Sequence, residues 1–465
     1  MTDRHIVILA AGKGTRMKSA RPKVLHQVAG RPMIDYVLGA ASAVRPASTT
    51  IVVGHQADTL KRELGRHPGL SFVVQEPQLG TGHALLMAEA ALSGATGTVL
   101  LLSGDAPLLK PETLTTLVDD HISTGSALTV LTAHVSNPHG YGRIVRDGSN
   151  GREIARIVEE KDASDGERLI REINSGIYAF QLDGLFDAVR RIGAGNAQRE
   201  YYLPDLVAIY RAAGRRVETR TVSQPDEILG INSRVELAAV SGIVRQAKNQ
   251  SLMAAGVTIE DPATTYVDNE VSIGADTILH PGVSLEGRTT LGEGCEIHSG
   301  ARLVNARLGD RVTVLNHSIV TDSEVGSDAS VGPFAHLRNE AVVGRGAKVG
   351  NFVEMKKTRL GTESKAMHLA YLGDALIGEK VNIGAGTITC NYDGVTKQTT
   401  TIEDGAFIGS DTQLIAPVTV GKGAYVGTGT TVRENVPPGS LAVSAGKQRN
   451  IEGWVEERKK RKINK

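Results

Sequence analysis

The sequence has few of the residues that mark several common classes of protein. Phe, Trp and Tyr together make up only 4% of the 465 residues, which disfavours a conventional core built on aromatic rings. Cys295 and Cys390 are the only cysteines, and neither belongs to a CxxC pair. A cysteine zinc site or a disulfide framework is therefore not expected, and the composition suits a reducing compartment.

Long apolar runs and a net charge of one sign are missing as well. The first apolar run covers only residues 6–11, and no stretch approaches the roughly 18–20 apolar residues that span a bilayer. The formal net charge is +1, so no overall field attracts nucleic acid or a membrane surface. We therefore expect a cytoplasmic protein that has neither of these partners.

Glycine is the residue type that stands out by its abundance. The chain has 53 glycines, which suits a fold that repeats tight turns and fills its interior with small aliphatic side chains. Single cores rarely grow beyond roughly 250–300 residues, so a chain of this length predicts two or three domains.

The first half alternates short apolar runs with helical patterns. Strands are predicted at residues 6–9, 50–53, 72–74 and 98–102, and helices at 33–43 and 82–92. This order indicates an α/β, Rossmann-like fold with a parallel sheet and helices on both faces. Ligands of such sheets lie beyond the carboxyl ends of the strands, where the turn after Leu9 and Asp105 fall.

Residues 231–255 predict one long helix, and a six-residue repeat follows it. Aliphatic residues recur in three registers, at positions 273, 279, 285, 291, 297 and 303, at 325, 331, 337, 343 and 349, and at 402, 408, 414, 420, 426 and 432. Each hexad forms one flat side of a prism and points its aliphatic residue inward, so the repeat predicts a parallel β-helix.

These patterns predict four segments. They are an α/β domain at 1–230, a linker helix at 231–256, a β-helix domain at 257–440 and a C-terminal tail at 441–465. The repeat shifts register between Val349 and Leu372, and residues 391–398 are expected to project as a loop. Loops that leave a rigid scaffold commonly carry function.

The first chemical signal is the segment LAAGKGTRM at residues 9–17, followed by Pro22 and Lys23. A Gly-rich turn after a strand lets backbone N–H groups approach a phosphate chain closely. The segment lacks the third glycine of a dinucleotide fingerprint and the GK[ST] ending of a Walker A loop. Arg16 and Lys23 supply the cations that a triphosphate requires.

This segment, together with QLGTGHA at 78–84 and GDAPLL at 104–109, resembles the sugar-1-phosphate nucleotidyltransferases. The hexad domain narrows the resemblance to the bifunctional N-acetylglucosamine-1-phosphate uridylyltransferase/glucosamine-1-phosphate N-acetyltransferase family, over residues 5–455. For that family the β-helix is left-handed, and the assembly is a homotrimer with active sites between subunits.

The resemblance assigns roles in the first domain. Arg16 and Lys23 are expected to act in catalysis, and Asp105 and Asn232 to hold Mg²⁺. Residues expected to bind UTP or the UDP-sugar are Leu9, Ala10, Ala11, Gly12, Lys23, Gln75, Gly80, Thr81, Asp105, Gly142, Glu159, Asn174 and Asn232. Tyr202 is a further expected sugar contact, whereas Pro204 departs from the polar residue usual in the family.

The resemblance also assigns roles in the β-helix. His368 is expected to be the general base, because a neutral imidazole can take the proton of an attacking amine. Arg338, Lys356, Tyr371 and Asn382 are expected to bind the acceptor sugar phosphate, and Lys397 to add a further cation. Residues expected to bind acetyl-CoA are Asn391, Tyr392, Ser410, Thr428 and Lys447. The family often has an Arg near Ala445, which is missing here, so Lys447 or Arg449 is expected to replace it.

The implied function is a two-step synthesis of UDP-N-acetylglucosamine, a precursor of peptidoglycan and lipopolysaccharide. Acetyl-CoA acetylates glucosamine 1-phosphate, and UTP then transfers uridylate to the product and releases pyrophosphate.

Two alternatives remain at this point. One is another sugar-1-phosphate nucleotidyltransferase whose β-helix is regulatory, and the other is an assembly module with an inactive nucleotide fold. Loop 391–398 with His368 argues against the first alternative, and joint retention of Arg16, Lys23, Asp105 and Asn232 argues against the second.

Overall fold

The computed structural model describes residues 2–147, 153–444, 446, 448 and 450–463. Residues up to Val244 form one compact unit, and residues from Arg245 onward form another. The predicted linker helix is observed at Arg234–Ala254, so the division between the units falls inside it. No helix among the described residues has both the length and the apolar character needed to cross a membrane.

The first unit is built on one twisted sheet. Its central path runs in the order Val217–Thr221, Leu128–His134, Glu172–Gln181, Thr98–Ser103, Arg4–Ala10, Ser48–Val53 and Leu70–Val74. Arg143–Asp147 pairs with Glu172–Gln181 and Glu153–Val158, and Gln27–Val28 pairs with Arg31–Pro32 in a separate two-stranded sheet. The predicted strands at 6–9, 50–53, 72–74 and 98–102 are all observed.

The four predicted strands pair in parallel with one another, as expected, but the sheet as a whole is mixed. Arg4–Ala10 pairs in parallel with Ser48–Val53 and Thr98–Ser103. Glu172–Gln181, in contrast, pairs antiparallel with the strands on both its sides. Strand direction depends on how the chain returns to the sheet, and an apolar run alone does not record that path.

The α-helices are Met33–Ser42, Ala57–Leu64, Thr81–Leu86, Pro111–Thr124, Asp165–Arg168, Leu185–Val189, Leu206–Ala212, Arg234–Ala254 and Trp454–Ile463. The 3₁₀ helices are Thr15–Met17, Lys23–Leu25, Ala90–Leu92, Leu203–Asp205 and Pro225–Ile228. The helix predicted at 82–92 is therefore two shorter helices. Packing follows the predicted two-faced pattern, since Val7 lies in one core cluster while its neighbours Ile6 and Ile8 lie in a cluster on the other face.

The second unit is a parallel β-helix with three flat sides, as the hexads predict, and it is left-handed, as the resemblance implies. Side one contains Thr258–Ile259, Ile278–Leu279, Glu296–Ile297, Thr313–Val314, Ser330–Val331, Lys348–Asn351, Lys365–His368, Asn382–Ile383, Phe407–Ile408, Tyr425–Val426 and Leu441–Ala442. Side two contains Tyr266–Val267, Ser284–Glu286, Arg302–Val304, Ile319–Thr321, His336–Arg338, Glu354–Lys356, Tyr371–Gly373, Ile388–Cys390, Gln413–Ile415 and Thr431–Val432. Side three contains Ser272–Ile273, Thr290–Leu291, Arg307–Leu308, Glu324–Val325, Val342–Val343, Arg359–Leu360, Ala375–Ile377, Thr400–Ile402 and Val418–Val420.

The interior of the β-helix is one continuous apolar core. The predicted hexad residues line it, for example Leu285, Ile297 and Leu414, which are all fully buried. Buried hydroxyls at the corners bond to backbone carbonyls, as Thr358 does to the Leu372 oxygen at 2.8 Å. These bonds satisfy polar groups that water does not reach.

The register shift predicted between Val349 and Leu372 is only a slightly shorter coil. Val343 pairs with Leu360, and Val349 pairs with Ala366, so the parallel ladder continues without a gap. His368 therefore lies on a regular strand of side one and pairs with Asn351.

The stacking of coils generates a prediction about Gly344. A Cβ atom placed there would lie 2.7 Å from both the Gly361 carbonyl carbon and the Thr362 nitrogen of the next coil. We expect Gly344→Ala to lower the free energy of unfolding by about 1–3 kcal/mol, the usual cost of overpacking. Gly242→Ala is the matched control, because no atom lies within 4 Å of its added Cβ. Equal thermal midpoints for the two variants would contradict this account of the coil contact.

Candidate active sites

A cavity of about 460 Å³ lies at the carboxyl ends of Arg4–Ala10 and Thr98–Ser103. It is lined by Leu9, Ala10, Ala11, Gly12, Lys13, Lys23, Val24, Gln75, Gln78, Gly80, Thr81, Ala84, Ser103, Asp105 and Glu200. Most residues expected to bind the nucleotide thus lie together. A larger cavity of about 940 Å³ lies at the opposite strand ends, and its lining contains no Lys or Arg that would suit a triphosphate.

A cluster of one cation and two oxygen ligands forms the centre of the smaller cavity. The Lys23 ammonium donates to the Asp105 carboxylate and, at 2.7 Å, to the Asn232 amide oxygen. Ser103 Oγ donates to the second Asp105 oxygen at 2.6 Å. The Lys23 and Asp105 side chains are 13% and 16% exposed. Two oxygen ligands therefore converge on a single cation position, the arrangement that a hard divalent metal ion requires.

The start of the long helix leaves the Asn232 side chain free for this contact. Asn232 alone is a plausible helix cap, but Ser233 performs that role. Ser233 Oγ accepts from the Glu236 N–H at 3.3 Å, and the Glu236 carboxylate accepts from the Ser233 N–H at 2.9 Å. The Ile231 N–H donates to the Asp105 carbonyl at 2.9 Å, which holds the two metal-ligand candidates side by side.

Gln75 and Gly80, which are both expected to bind the nucleotide, shape one side of the cavity. Gln75 is buried, and its amide nitrogen donates to the Gly80 carbonyl at 2.9 Å. Gly80 has φ +105°, and a Cβ there would lie 2.8 Å from the Tyr201 carbonyl oxygen. Only glycine suits this conformation and spacing. Thr81 Oγ1 accepts from the Leu203 N–H at 3.1 Å.

The expected sugar-binding residues meet beside this cavity. A Cβ on Gly142 would lie 3.1 Å from Glu159 Oε1 and 3.4 Å from the Asn174 Cβ. The Asn174 N–H donates to the Gly142 carbonyl at 2.9 Å. Tyr202 is buried, and it lines a neighbouring 430 Å³ cavity together with Glu159 and the buried Pro204.

Burial and neighbouring carboxylates perturb two titratable groups on this side. Burial raises the pKa of Glu159, and Asp162 and Asp205 add to the increase. Burial, followed by the same Asp162 and by Glu159, raises the pKa of Tyr202 to about 12. Perturbed groups in a cleft are typical of functional sites.

One expected catalytic residue lies apart from the others. Arg16 is exposed on the 3₁₀ helix Thr15–Met17 and does not line the nucleotide cavity. Sequence reasoning also missed Gln78, whose amide donates to the Ala11 carbonyl and so braces the Gly-rich turn. The sequence clue to Gln78 was its position beside Leu79 and Gly80 in the segment QLGTGHA.

In the β-helix, His368 is exposed at the end of Lys365–His368. Its Nδ1 lies 2.8 Å from the Asn351 amide oxygen, one coil earlier on side one. Because an amide oxygen only accepts, the neutral form of this imidazole carries its proton on Nδ1 and its lone pair on Nε2. Asn351 was missed by the sequence reasoning. The sequence clue to Asn351 was its position 17 residues before His368, because that spacing is one coil of the β-helix.

A cluster of charged groups lies on side two. Lys356 Nζ donates to Asp374 Oδ2 at 2.8 Å, and the Asn391 amide donates to the same carboxylate. Arg338 occupies the position beside Lys356 on the adjacent strand and is bound by Glu354 at 2.7 Å. The hydrogen bond to Asp374 raises the pKa of Lys356, and Lys356 in turn lowers the pKa of Lys397.

Asp374 is another residue that sequence reasoning missed. Burial raises the pKa of Asp374, but the bonds from Lys356 and Asn391 outweigh that effect and hold it below its ordinary value. Tyr371 joins the same cluster, because a Cβ on Gly373 would lie 2.5 Å from the Tyr371 hydroxyl and 2.9 Å from the Asn391 amide.

The remaining expected residues are spread over the outer surface. Asn382 lies on side one beside Lys365 and Phe407. Ser410 and Thr428 are exposed on successive coils, and the Gly429 N–H donates to the Ser410 carbonyl at 2.9 Å. Tyr392 is exposed on the projecting loop. Lys447, with Ala445 and Arg449, lies outside the described residues.

Comparison with known proteins agrees with this architecture. The MobA-like NTP transferase domain family matches residues 6–173, the GMPPB C-terminal domain matches 263–360, and the bacterial transferase hexapeptide family matches 399–434.

Curated relatives match nearly the whole chain. "Bifunctional protein GlmU" of Pelobacter propionicus is 51% identical over 99% of this chain and 100% of the relative. The proteins of the same name from Geobacter metallireducens and Exiguobacterium sp. are 50% and 47% identical, each over 98% of this chain and 98% and 100% of the relative. With two separate constellations of candidate catalytic residues and this similarity over its full length, the chain belongs to the bifunctional GlmU family.

Proposed function

We propose that the chain makes UDP-N-acetylglucosamine in two steps. The β-helix transfers the acetyl group of acetyl-CoA to glucosamine 1-phosphate, and the first unit transfers uridylate from UTP to the product. The observation that carries the proposal is the presence, in one chain, of an oxygen-ligand pair that shares a cation and an exposed histidine with an oriented imidazole.

In uridylyl transfer, an oxygen of the sugar phosphate attacks the α-phosphorus of UTP, and pyrophosphate leaves with the bonding electron pair. The Gly-rich turn that follows Ala10 lines the cavity and meets the phosphates, and Gln75 and Gly80, which also line it, contact the uracil. Lys23 offsets charge on the phosphates, and exposed Arg16 reaches the leaving group from outside the cavity. Catalysis here is positioning and electrostatics, with no covalent enzyme intermediate.

Asp105 and Asn232 fit a divalent metal ion, and we assign Mg²⁺ to them. When bound, the ion neutralises phosphate charge as a Lewis acid. The fit rests on the two oxygens that already share the Lys23 ammonium. Ser103 keeps Asp105 oriented through its hydrogen bond.

In acetyl transfer, His368 Nε2 takes a proton from the amino group of glucosamine 1-phosphate while the nitrogen attacks the thioester carbonyl. The C–S bond breaks, and coenzyme A leaves as the thiol after its sulfur takes that proton from His368. Lys356, Lys397 and Arg338 meet the phosphate dianion. Tyr371 and Asn382 contact the sugar, and Asn391, Tyr392, Ser410, Thr428 and Lys447 contact acetyl-CoA.

We infer a homotrimer, and an exposed apolar column on the outer surface of the β-helix supports it. His317, Phe334 and Phe352 stack in a column, with ring centroids 5.2 and 5.5 Å apart. Phe334 and Phe352 are 49% and 55% exposed, and Leu369 at the next coil is 62% exposed. A second copy would cover this apolar column, and a closed three-fold ring satisfies each copy equally.

We place the enzyme in the cytoplasm, where it supplies cell-wall precursors.

The two-site proposal predicts independent losses of activity. Asp105→Asn keeps the side-chain shape but removes the charge, so uridylyl transfer should fall to background while acetyl transfer persists. His368→Gln should lower acetyl transfer about 10²- to 10⁴-fold, the usual contribution of a general base, and leave uridylyl transfer intact. Each half-reaction is measured separately with its own substrates. Loss of both activities in one folded variant would contradict two separate sites.

Asn351 acts on His368 and not on substrate, which gives a different signature. We expect Asn351→Ala to lower kcat for acetyl transfer roughly tenfold, the equivalent of one hydrogen bond, with little change in KM for acetyl-CoA. Asn351→Asp, which still accepts a hydrogen bond from Nδ1–H, should restore activity. A structural role alone would instead lower thermal stability in Asn351→Ala and leave kcat unchanged.

The raised pKa of Glu159 predicts a pH dependence of sugar binding. The carboxylate is the form that accepts hydrogen bonds from sugar hydroxyls, so binding should weaken as pH falls through this raised pKa. Glu159→Gln cannot ionise, so its KM for N-acetylglucosamine 1-phosphate should exceed that of the parent above this pKa and approach it below. Both enzymes share the titration of the substrate phosphate, so the ratio of their kcat/KM values isolates Glu159. A ratio independent of pH would contradict the assignment.

A further inference from the structure

A group of histidines and carboxylates on the β-helix is not among the residues assigned to either candidate site. Glu260, His280 and His298 follow three consecutive strands of side one, so their side chains stack on successive coils. Glu296 is the first residue of the third of these strands. All four residues are on the outer surface, and neither transfer reaction uses them.

The ligand atoms of three of these residues converge. His280 Nε2 lies 3.1 Å from Glu296 Oε1, and His298 Nε2 lies 3.3 Å from the same oxygen. The His280, Glu296 and His298 ligand atoms all lie within 4.8 Å of one another. The histidine side chains are about a quarter exposed and Glu296 is less than half exposed, so the group is accessible from solvent.

Glu260 orients the first histidine. The His280 Nδ1 lies 3.0 Å from Glu260 Oε2, so both ring nitrogens of His280 face carboxylate oxygens. A neutral imidazole has one N–H and one lone pair, whereas carboxylates only accept. With Nδ1–H donated to Glu260, the Nε2 lone pair points at another acceptor. A cation is required between them, either a proton on the ring or a metal ion.

We propose that His280 Nε2, His298 Nε2 and the Glu296 carboxylate form a binding site for a divalent transition-metal ion of the zinc class. Zinc–nitrogen and zinc–oxygen bonds of about 2.0–2.2 Å place tetrahedral ligand atoms roughly 3.3–3.5 Å apart. The two imidazole–carboxylate distances are close to this spacing. Water completes the coordination, and Glu260 supplies the carboxylate–histidine–metal arrangement that fixes the tautomer.

The imidazole ligands decide which ions the site takes. Two imidazoles and one carboxylate suit Zn²⁺, Co²⁺ or Ni²⁺, whereas Mg²⁺ prefers oxygen ligands and retains its waters. The two rings are stacked with centroids 4.6 Å apart and planes at 16°. For both Nε2 atoms to bind one ion, the two rings must therefore tilt. The ion then links successive coils near the start of the β-helix.

The test uses untagged full-length chain that carries Asp105→Asn, so that the proposed Mg²⁺ site does not contribute. After chelation, Co²⁺ and Zn²⁺ are titrated and followed by visible absorption and calorimetry. We expect one equivalent of Co²⁺ per chain with the absorption bands of four-coordinate cobalt, displaced by Zn²⁺ but not by excess Mg²⁺. No stoichiometric uptake, or displacement by Mg²⁺, would overturn the proposal and leave a protonated histidine–carboxylate ion pair.

Variants connect the signal to these residues. His280→Ala and His298→Ala should each abolish the stoichiometric site, and Glu260→Gln should weaken binding about 10- to 100-fold, as loss of a metal ligand's partner does. His317→Ala, on the same β-helix but stacked on Phe334, is the matched control and should bind as the parent does. Glu296→Gln provides a variant of unchanged shape if either alanine variant fails to fold. Full stoichiometry in His280→Ala and His298→Ala would overturn the assignment.

Discussion

The ladder of backbone hydrogen bonds between successive coils is the constraint on which the second half of the molecule depends. It places residues 17 or 18 positions apart directly beside one another, as it does for Asn351 and His368 and for Arg338 and Lys356. Successive coils lie so close together that a corner glycine such as Gly344 has no room for a Cβ atom. The register between coils is therefore fixed. Residues that act together on this surface are therefore about one coil apart in the sequence.

Both candidate sites hold a lysine against a carboxylate that is itself fixed by a neutral donor. Lys23 meets Asp105, which Ser103 orients, and Lys356 meets Asp374, which Asn391 orients. The shared arrangement keeps a flexible ammonium in one place before an anionic substrate arrives. Orientation of the side chains is thus completed during folding, and less conformational entropy is lost when the phosphate binds.

Much of the architecture could be predicted because its signals are periodic. The hexad residues are buried as expected, because each coil repeats the same requirement for one inward aliphatic residue. The antiparallel direction of Glu172–Gln181 could not be read from its apolar run, since the path of the chain between strands sets it. Asn351 and Asp374 were missed for a different reason: each acts through a neighbour that is distant in sequence and close only after coiling. Asp105 and Asn232 were named from the resemblance, and their convergence on Lys23 appears only in three dimensions.

The position of the Lys23 ammonium between Asp105 and Asn232 has a consequence for the resting protein. Without this ammonium, the largely buried Asp105 carboxylate would lose the counterion that offsets the cost of its burial. With Lys23 as an internal counterion, the charge of Asp105 is already balanced before any ligand binds. A metal ion held by Asp105 and Asn232 would take the place of this ammonium and leave Lys23 free to contact an anionic phosphate. Metal binding and the supply of a positive charge to the substrate would then depend on the movement of one side chain.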